Sequence, residues 1–171
     1  VLPTSAAGRD SGPLALSGAA GLEENGRNIL QTLSRTVGYA GVILFDSSGP
    51  LASDSQGEKL RAPIFTRGLG LADLSETASK ELGLAAIKAR VPYAGGAEIL
   101  DRDLRPQSIR DALDLLEARA VAQGSAVGVL SPTPVGYQEI QTWIQTLRRK
   151  NIVLAPLSGQ MTSVPDKEAA P

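Results

Sequence analysis

Three aspartates lie at the carboxyl ends of predicted strands, which is where parallel α/β folds bind their ligands. Asp46, Asp73 and Asp101 each follow a short apolar run that predicts a strand. Because ligands bind at the carboxyl ends of such strands, the three acids are candidates for one site that holds a sugar or a metal. Oxygen ligands alone suit calcium, magnesium or manganese better than zinc. The alternative is that each Asp caps a turn or the following helix, which is the commoner role of Asp there.

The composition removes the commonest catalytic groups. The 171-residue chain has no His and no Cys, which excludes imidazole bases, thiolate nucleophiles, disulfides and Cys-zinc sites. Catalysis would have to use carboxylates, Lys, Tyr or Ser. A net charge of −1 gives no electrostatic case for binding nucleic acid or an anionic membrane. Nor does the sequence contain an apolar run of about 18 residues, so no transmembrane segment is predicted.

Aromatic side chains are the other candidates for binding a sugar. Tyr93 lies in a Gly-containing stretch predicted to be a loop, 92–96, and is the best candidate for a substrate contact. Trp143 lies on an apolar helical face and is predicted to belong to the core. The Gly- and Ser-containing segments do not indicate a phosphate loop, because no Lys follows them at the required spacing.

The elements that would position these residues are clearest in 101–158, where helices and strands alternate. Pro106 begins a helix with apolar positions three and four residues apart, and Gly124 ends it. Residues 126–130 are predicted to form a buried strand. A second amphipathic helix follows, and then another predicted buried strand at 152–154. This alternation predicts a parallel sheet with helices packed outside it.

The earlier part of the chain is less regular. Residues 1–21 are rich in Gly, Ala, Ser and Pro and are predicted to form a loop or a loosely held arm. The elements predicted after them are a helix from Glu23 closed by Gly38, a strand at 40–45, a helix near 58–67, a strand at 69–72, a helix capped by Ser75 and stopped by Gly83, and a weak strand at 84–91. The resulting five strands would make an open sheet, or the later part of a barrel whose first strands lie upstream of Val1.

Several short motifs, taken in order, resemble the divergent polysaccharide deacetylase family. Gly38-Tyr39-Ala40-Gly41-Val42 is similar to the GYxGV start of a family strand, and Arg67-Gly68-Leu69 with Asp73 is similar to RGLxxxD. Further matches are Asp10-Ser11-Gly12-Pro13-Leu14-Ala15-Leu16, Glu24-Asn25, Leu82-Gly83-Leu84, Gly124-Ser125-Ala126-Val127-Gly128-Val129 and Asn151-Ile152-Val153-Leu154-Ala155-Pro156-Leu157-Ser158. Each motif is weak alone, and their shared order over about residues 2–158 makes the resemblance strong.

The resemblance implies a fold and an activity class. The fold is a distorted, parallel-stranded (β/α) barrel of the polysaccharide-deacetylase type, or the later part of one. The activity is the metal-assisted hydrolysis of an N-acetyl group on a sugar, in which a divalent metal activates water and a carboxylate takes the proton. The resemblance also implies export to the periplasm or cell envelope of a bacterium.

Several polar motifs of the family are missing from this chain. The Asp-Asp pair of the first family strand would lie before Val1, and the acid of the PMEP motif falls at Ser5. The amide and imidazole of the N-[HY]-MG motif fall at 44–45, where Leu and Phe stand. The DDGSS motif becomes 72–76, in which Asp73 is the surviving acid. The resemblance therefore indicates a degenerate member that kept the fold and lost most of the chemistry.

These observations leave three functional hypotheses. The first is a non-catalytic domain that binds envelope glycan or an envelope protein, with a homo-oligomer left open. The second is an active metal-dependent carbohydrate deacetylase whose missing metal ligands lie upstream of Val1. The third is an interaction protein on an unrelated open α/β sheet. A divalent metal is expected as a cofactor only under the second hypothesis, and the cofactor is otherwise unknown.

The sequence predicts four site residues and three regions. Asp73 and Asp46 are the catalytic candidates, Tyr93 and Asp101 are the substrate-binding candidates, and no residue is assigned as a metal ligand. The predicted regions are an N-terminal arm at 1–21, a deacetylase-like α/β domain at 22–158 and a disordered C-terminal tail at 159–171.

Overall fold

The computed structural model describes residues 12–35, 37–46, 49–53 and 56–161. These residues form five α-helices and five short β-strands, and the strands pair in parallel. The result is a mixed α/β architecture, as predicted, but the described strands make one three-stranded and one two-stranded sheet and not a closed barrel. The predictions for 1–11 and 162–171 lie outside the described residues.

The chain divides into two compact units: Val1–Gly95 with Met161–Pro171, and Gly96–Gln160. The first unit contains a parallel sheet in the order β1-β2-β3. Its elements are α1 (Leu22–Ser34), β1 (Gly41–Leu44), α2 (Gly57–Phe65), β2 (Gly70–Asp73), α3 (Lys80–Lys88) and β3 (Tyr93–Gly95). Its core contains buried apolar side chains from the helices and the sheet, among them Ile29, Leu33, Val42, Leu44, Leu60, Ile64 and Leu71.

Glycines allow close approach of β1 and β2. Gly41 and Gly70 are partners in the parallel register. A Cβ atom on Gly41 would lie 2.5 Å from the carbonyl oxygen of Gly70, which belongs to the backbone and cannot turn away. The second glycine of the GYxGV-like segment is therefore required by the spacing of the two strands.

The described part of the predicted N-terminal arm is a loop fixed to α1. Asn25 is fully buried, accepts a hydrogen bond from the Ser17 backbone N–H at 3.0 Å, and donates to the Ser17 and Ala20 carbonyls. Asn28 donates to the Ala15 carbonyl at 3.2 Å. Two buried amides on one helix therefore satisfy the backbone of this loop.

The second unit contains the elements whose sequence pattern was clearest. They are β4 (Glu98–Ile99), α4 (Pro106–Gln123), β5 (Gly128–Val129) and α5 (Pro134–Leu147), followed by 3-10 turns at Arg148–Lys150 and Leu157–Gln160. Pro106 begins α4, and Gly124 ends it with a left-handed φ of 83°, so both predicted boundaries are confirmed. Trp143 packs against the core of this unit, and its Nε1 donates to Glu117 at 2.6 Å, which confirms the prediction for that residue.

Two regions differ from the sequence prediction. The predicted strand at 152–154 is not formed, because none of the described residues pairs with it, and Val153 and Leu154 are 84% and 55% exposed. The predicted helix stop at Gly83 and the weak strand at 84–91 are also wrong, since α3 continues through Lys88.

The start of α3 and the segment after it were likewise predicted wrongly. The cap of α3 is Ser79 and not Ser75, because the Ser75 hydroxyl is bound by the Asp73 carboxylate. The predicted loop at 92–96 contains β3, which places Tyr93 on a strand paired with β2. No helix among the described residues is long and apolar enough to cross a membrane.

Candidate functional site

A cleft lies at the carboxyl edge of the sheet in the first unit. Its volume is about 510 Å³, and its lining comes from residues within 49–53 and 77–81. The first segment follows β1 and the second follows β2, and these two strands are parallel neighbours. The cleft therefore stands where α/β folds place their ligands.

The Asp73 carboxylate anchors the loop that forms one wall of this cleft. Asp73 is the last residue of β2 and is 0% exposed. Its Oδ1 accepts hydrogen bonds from the Ser75 backbone N–H at 3.2 Å and the Ser75 hydroxyl at 2.5 Å. Its Oδ2 accepts from the Ser79 backbone N–H at 2.8 Å. Both oxygens are thus used to hold the 74–79 loop in place.

Tyr93 lies beside the same carboxylate. Its hydroxyl is 3.4 Å from the carbonyl oxygen of Ser79 and is hydrogen-bonded to Asp73. Burial raises the pKa of Tyr93, and the nearby negative charge of Asp73 raises it further. The phenol therefore stays protonated and serves as a hydrogen-bond donor to the group that anchors the loop.

Two glycines make room for the Tyr93 ring. A Cβ atom on Gly95 would lie 2.7 Å from both Cε1 and Oη of Tyr93, and one on Gly83 would lie 3.3 Å from Cε1. Gly83 belongs to α3 and Gly95 to β3, so the ring is held between a helix and its own strand. The glycine predicted to stop α3 instead provides the space for an aromatic side chain.

The rim of the cleft is polar and carries both charge signs. The Ser79 hydroxyl accepts from the Leu82 backbone N–H at 3.2 Å and donates to Glu81 Oε2 at 3.0 Å. The backbone N–H of Glu81 and the Ser79 hydroxyl both lower the pKa of the Glu81 carboxyl. Glu81 is therefore ionised at neutral pH, next to the exposed Lys80. This rim offers donors and acceptors to a neutral polar ligand.

The structure brings two of the four predicted site residues together, Asp73 and Tyr93. Asp46 lies two residues beyond the end of β1 and is half-exposed. Asp101 belongs to the second unit, where its Oδ2 accepts from the Ser131 backbone N–H at 2.8 Å. That bond joins the chain after β4 to the chain after β5, so it is a long-range contact and not the capping of a turn or of the following helix.

The described residues do not fit a divalent metal. No group of three His, Cys, Asp or Glu side chains among them is close enough to hold one. Asp73, the acid that matches a polar family motif, has both oxygens occupied by N–H and O–H donors. A hard cation needs several oxygen ligands, and Asp73 has no free oxygen to offer one.

Sequence reasoning missed Ser79, which caps α3 and donates to Asp73 through its backbone. The sequence does contain a signal for this helix cap, because Ser79 is followed directly by the helix-forming residues Lys80, Glu81 and Leu82. The role of Gly95 had no local signal, since it depends on the position of the Tyr93 ring two residues earlier on the same strand.

Comparison with known proteins gives the family of this chain. No curated protein matches it. A crystal structure of the uncharacterised protein ATU2773 from Agrobacterium tumefaciens C58 is similar, with a TM-score of 0.80 and 26% sequence identity. The match covers 92% of this chain and 64% of that protein, so this chain spans less than two thirds of its length. The model of the divergent polysaccharide deacetylase family matches residues 1–161, and the chain belongs to that family.

Proposed function

We propose that this deacetylase-like domain binds glycan of the bacterial cell envelope in the cleft formed by 49–53 and 77–81, without hydrolysing it. The observation that carries this proposal is the state of the Asp73 carboxylate. It is fully buried, and both of its oxygens accept hydrogen bonds from the loop that it anchors. Family membership supports the relation to carbohydrate, and the envelope location is part of the proposal.

A general base needs an oxygen within reach of the water or hydroxyl whose proton it takes. Asp73 would have to break its bonds to Ser75 or Ser79 to do so, and the 74–79 loop would lose its anchor. The neighbouring Tyr93 cannot replace it, because its raised pKa keeps the phenol protonated at neutral pH. The geometry therefore supports a role of Asp73 in shaping the cleft.

The cleft has the properties of a site for a polar, uncharged ligand. Its volume of about 510 Å³ falls within the range of roughly 300–1,000 Å³ usual for small-molecule sites. Lys80 and Glu81 stand side by side at the rim, with the Ser53 and Thr77 segments lining the walls. A sugar carries many hydroxyls that both donate and accept, which matches a rim with both kinds of group.

The first test is binding of chito-oligosaccharides made of N-acetylglucosamine, followed by amide chemical shifts. We expect the shifts to concentrate in 49–53 and 77–81. Lys80→Ala should weaken binding by about fivefold to tenfold, the effect of one lost polar contact. Lys88→Ala is the matched control, because Lys88 is exposed at the other end of the same helix.

The second test is release of acetate from the same oligosaccharides, with and without added divalent metal. We expect no release. Turnover that disappears in Asp73→Asn would instead support an active metal-dependent deacetylase that draws ligands from residues outside this chain. Fractionation of the producing cells checks the location, and recovery in the cytoplasm would contradict it.

A further inference from the structure

A buried arginine contacts the wall of the cleft that is formed by 49–53. Arg61 belongs to α2, the helix that follows this wall in the chain, and it is 9% exposed. Its Nη1 donates a hydrogen bond to the Leu51 carbonyl oxygen. A charged side chain is seldom buried unless hydrogen bonds replace its lost water. The burial of this guanidinium against a loop carbonyl therefore calls for a role within the first unit.

The 49–53 wall is built from two overlapping turns. The Ala52 N–H donates to the Gly49 carbonyl at 3.1 Å, and the Ser53 N–H donates to the Pro50 carbonyl at 3.3 Å. The Leu51 carbonyl, between these residues, is the acceptor for the arginine of α2. Because the cleft is lined from this side by Gly49, Ala52 and Ser53, the arginine acts on the lining through the backbone of the wall.

Gly57, the first residue of α2, leaves room for this contact. A Cβ atom there would collide with the Arg61 guanidinium and would lie 2.7 Å from the Leu51 carbonyl oxygen. The Gly57 N–H also donates to the Ser53 carbonyl at 3.0 Å. A side chain at position 57 would therefore push the guanidinium and the wall apart without removing any charge.

The two walls of the cleft are each held by a buried charge, and the two charges have opposite signs. Asp73 accepts hydrogen bonds from the 74–79 loop, and Arg61 donates to the 49–53 wall. A guanidinium suits the second task because its donors lie in a rigid plane, whereas an ammonium is a point charge on a flexible stem. Arginine therefore fixes the direction of the contact as well as its charge.

We infer that Arg61 is a positioning residue of the cleft, whose guanidinium sets the place of Ala52 and Ser53 through the Leu51 carbonyl. The consequence for a ligand rests on the function proposed above, whereas the consequence for the wall does not. The inference assigns the second wall an anchor that does not itself line the cleft.

Amide hydrogen exchange of the intact protein tests the effect on the wall. Arg61→Met removes the donors and keeps an unbranched side chain. We expect exchange at Ala52 and Ser53 to be about tenfold faster in this variant, while the amides of β2 keep the protection of the parent chain. Arg67→Met is the matched control, because Arg67 is exposed and donates to the Pro63 carbonyl at 2.6 Å. It should leave exchange in the wall unchanged.

Binding of chito-oligosaccharides tests the effect on a ligand. Arg61→Met and Gly57→Ala should each weaken binding by about tenfold, and Arg67→Met should leave it unchanged. In Arg61→Ala, millimolar ethylguanidinium should restore both binding and the slow exchange at Ala52 and Ser53. Ethylammonium at the same concentration should restore neither, because it lacks the planar set of donors. A general loss of stability would not give this difference between the two cations.

The parent chain decides the inference if the Arg61 variants do not fold. The side-chain N–H protons of Arg61 should exchange slowly, because they are buried and hydrogen-bonded. Fast exchange of these protons would overturn the inference. Unchanged exchange at Ala52 and Ser53 in a folded Arg61→Met, or equal rescue by the two cations, would also overturn it.

The two readouts separate this inference from the proposed function. A parent chain that binds no oligosaccharide would overturn the proposed function, and exchange at Ala52 and Ser53 would then decide by itself whether Arg61 holds the wall. Unchanged binding in a variant whose wall exchanges faster would show that the ligand does not depend on this wall, which would overturn the positioning role.

Discussion

Replacing Asp73 by Asn distinguishes a loop anchor from a catalytic carboxylate. The carboxylate accepts four hydrogen bonds, two from Ser75, one from the Ser79 backbone and one from the Tyr93 hydroxyl. Hydrogen bonds to a charged group contribute about 1.5–3 kcal/mol each. Asn keeps one carbonyl oxygen but turns an amide NH₂ toward a donor, so at least one bond is lost and one buried donor is opposed. We expect the free energy of unfolding to fall by about 2–4 kcal/mol.

Asp101→Asn is the matched control. Asp101 accepts one backbone N–H, from Ser131, and is half-buried. The loss expected there is about 0.5–1.5 kcal/mol, the contribution of one ordinary hydrogen bond. Urea denaturation followed by circular dichroism measures both variants. Hydrogen exchange at the Ser75 and Ser79 amides reports whether the 74–79 loop itself is released in Asp73→Asn.

If Asp73 is instead a catalytic residue, a different change in the free energy of unfolding is expected for Asp73→Asn. A carboxylate kept for chemistry is commonly a strained or poorly compensated group, so its removal often leaves stability unchanged or raises it. An Asp73→Asn variant within about 0.5 kcal/mol of the parent chain, with unchanged exchange at Ser75 and Ser79, would therefore refute the anchor role.

Further expected results concern single contacts. The pKa of Tyr93 is raised above its ordinary value of 10.0, so above that pH the folded chain keeps a proton that the unfolded chain loses. The free energy of unfolding should therefore fall as the pH rises above about 10, and it should fall less in Tyr93→Phe. Urea midpoints measured at high pH check this result. Glu117→Leu removes the hydrogen-bond acceptor of the Trp143 indole and should lower the free energy of unfolding by about 1–3 kcal/mol. Trp143 is the single Trp of the chain, so a red shift of the fluorescence emission would report the lost contact. Hydrogen bonds from the Arg105 side chain and backbone lower the pKa of Asp103 to about 2. Stabilisation from this pair is present above the unfolded pKa and lost as the pH falls toward about 2, and Arg105→Gln should raise the NMR titration midpoint of Asp103.

Single proline and glycine residues in the sequence correctly predicted the elements whose ends each depend on one residue. Pro106 and Gly124 were sufficient for α4, because the proline favours a first helical turn and the glycine adopts the left-handed conformation that ends a helix. The strands β1 and β2 were predicted for a similar reason, since each is a short apolar run that follows a glycine. The family resemblance, carried by the order of such short motifs, is confirmed.

Predictions failed where a partner outside the element decides the local structure. Residues 152–154 have the composition of a strand, but a strand exists only when a neighbour supplies hydrogen bonds, and no described residue does. The start of α3 depends on which serine hydroxyl the Asp73 carboxylate takes, and it takes that of Ser75. The absence of a strand neighbour cannot be read from a short window of sequence, and the choice of Ser75 as the bound hydroxyl depends on the folded position of the Asp73 carboxylate.

The same dependence gives Asp73 a structural role that does not require the other polar motifs of the family. A buried carboxylate that accepts from Ser75 and Ser79 fixes the position of the cleft wall whether or not a metal or a base stands opposite. Under the function proposed above, loss of the other polar motifs removes reactivity without disturbing this wall, whereas loss of Asp73 would release it. Under that proposal binding outlasts hydrolysis, because the cleft wall is held by groups that need not touch a sugar.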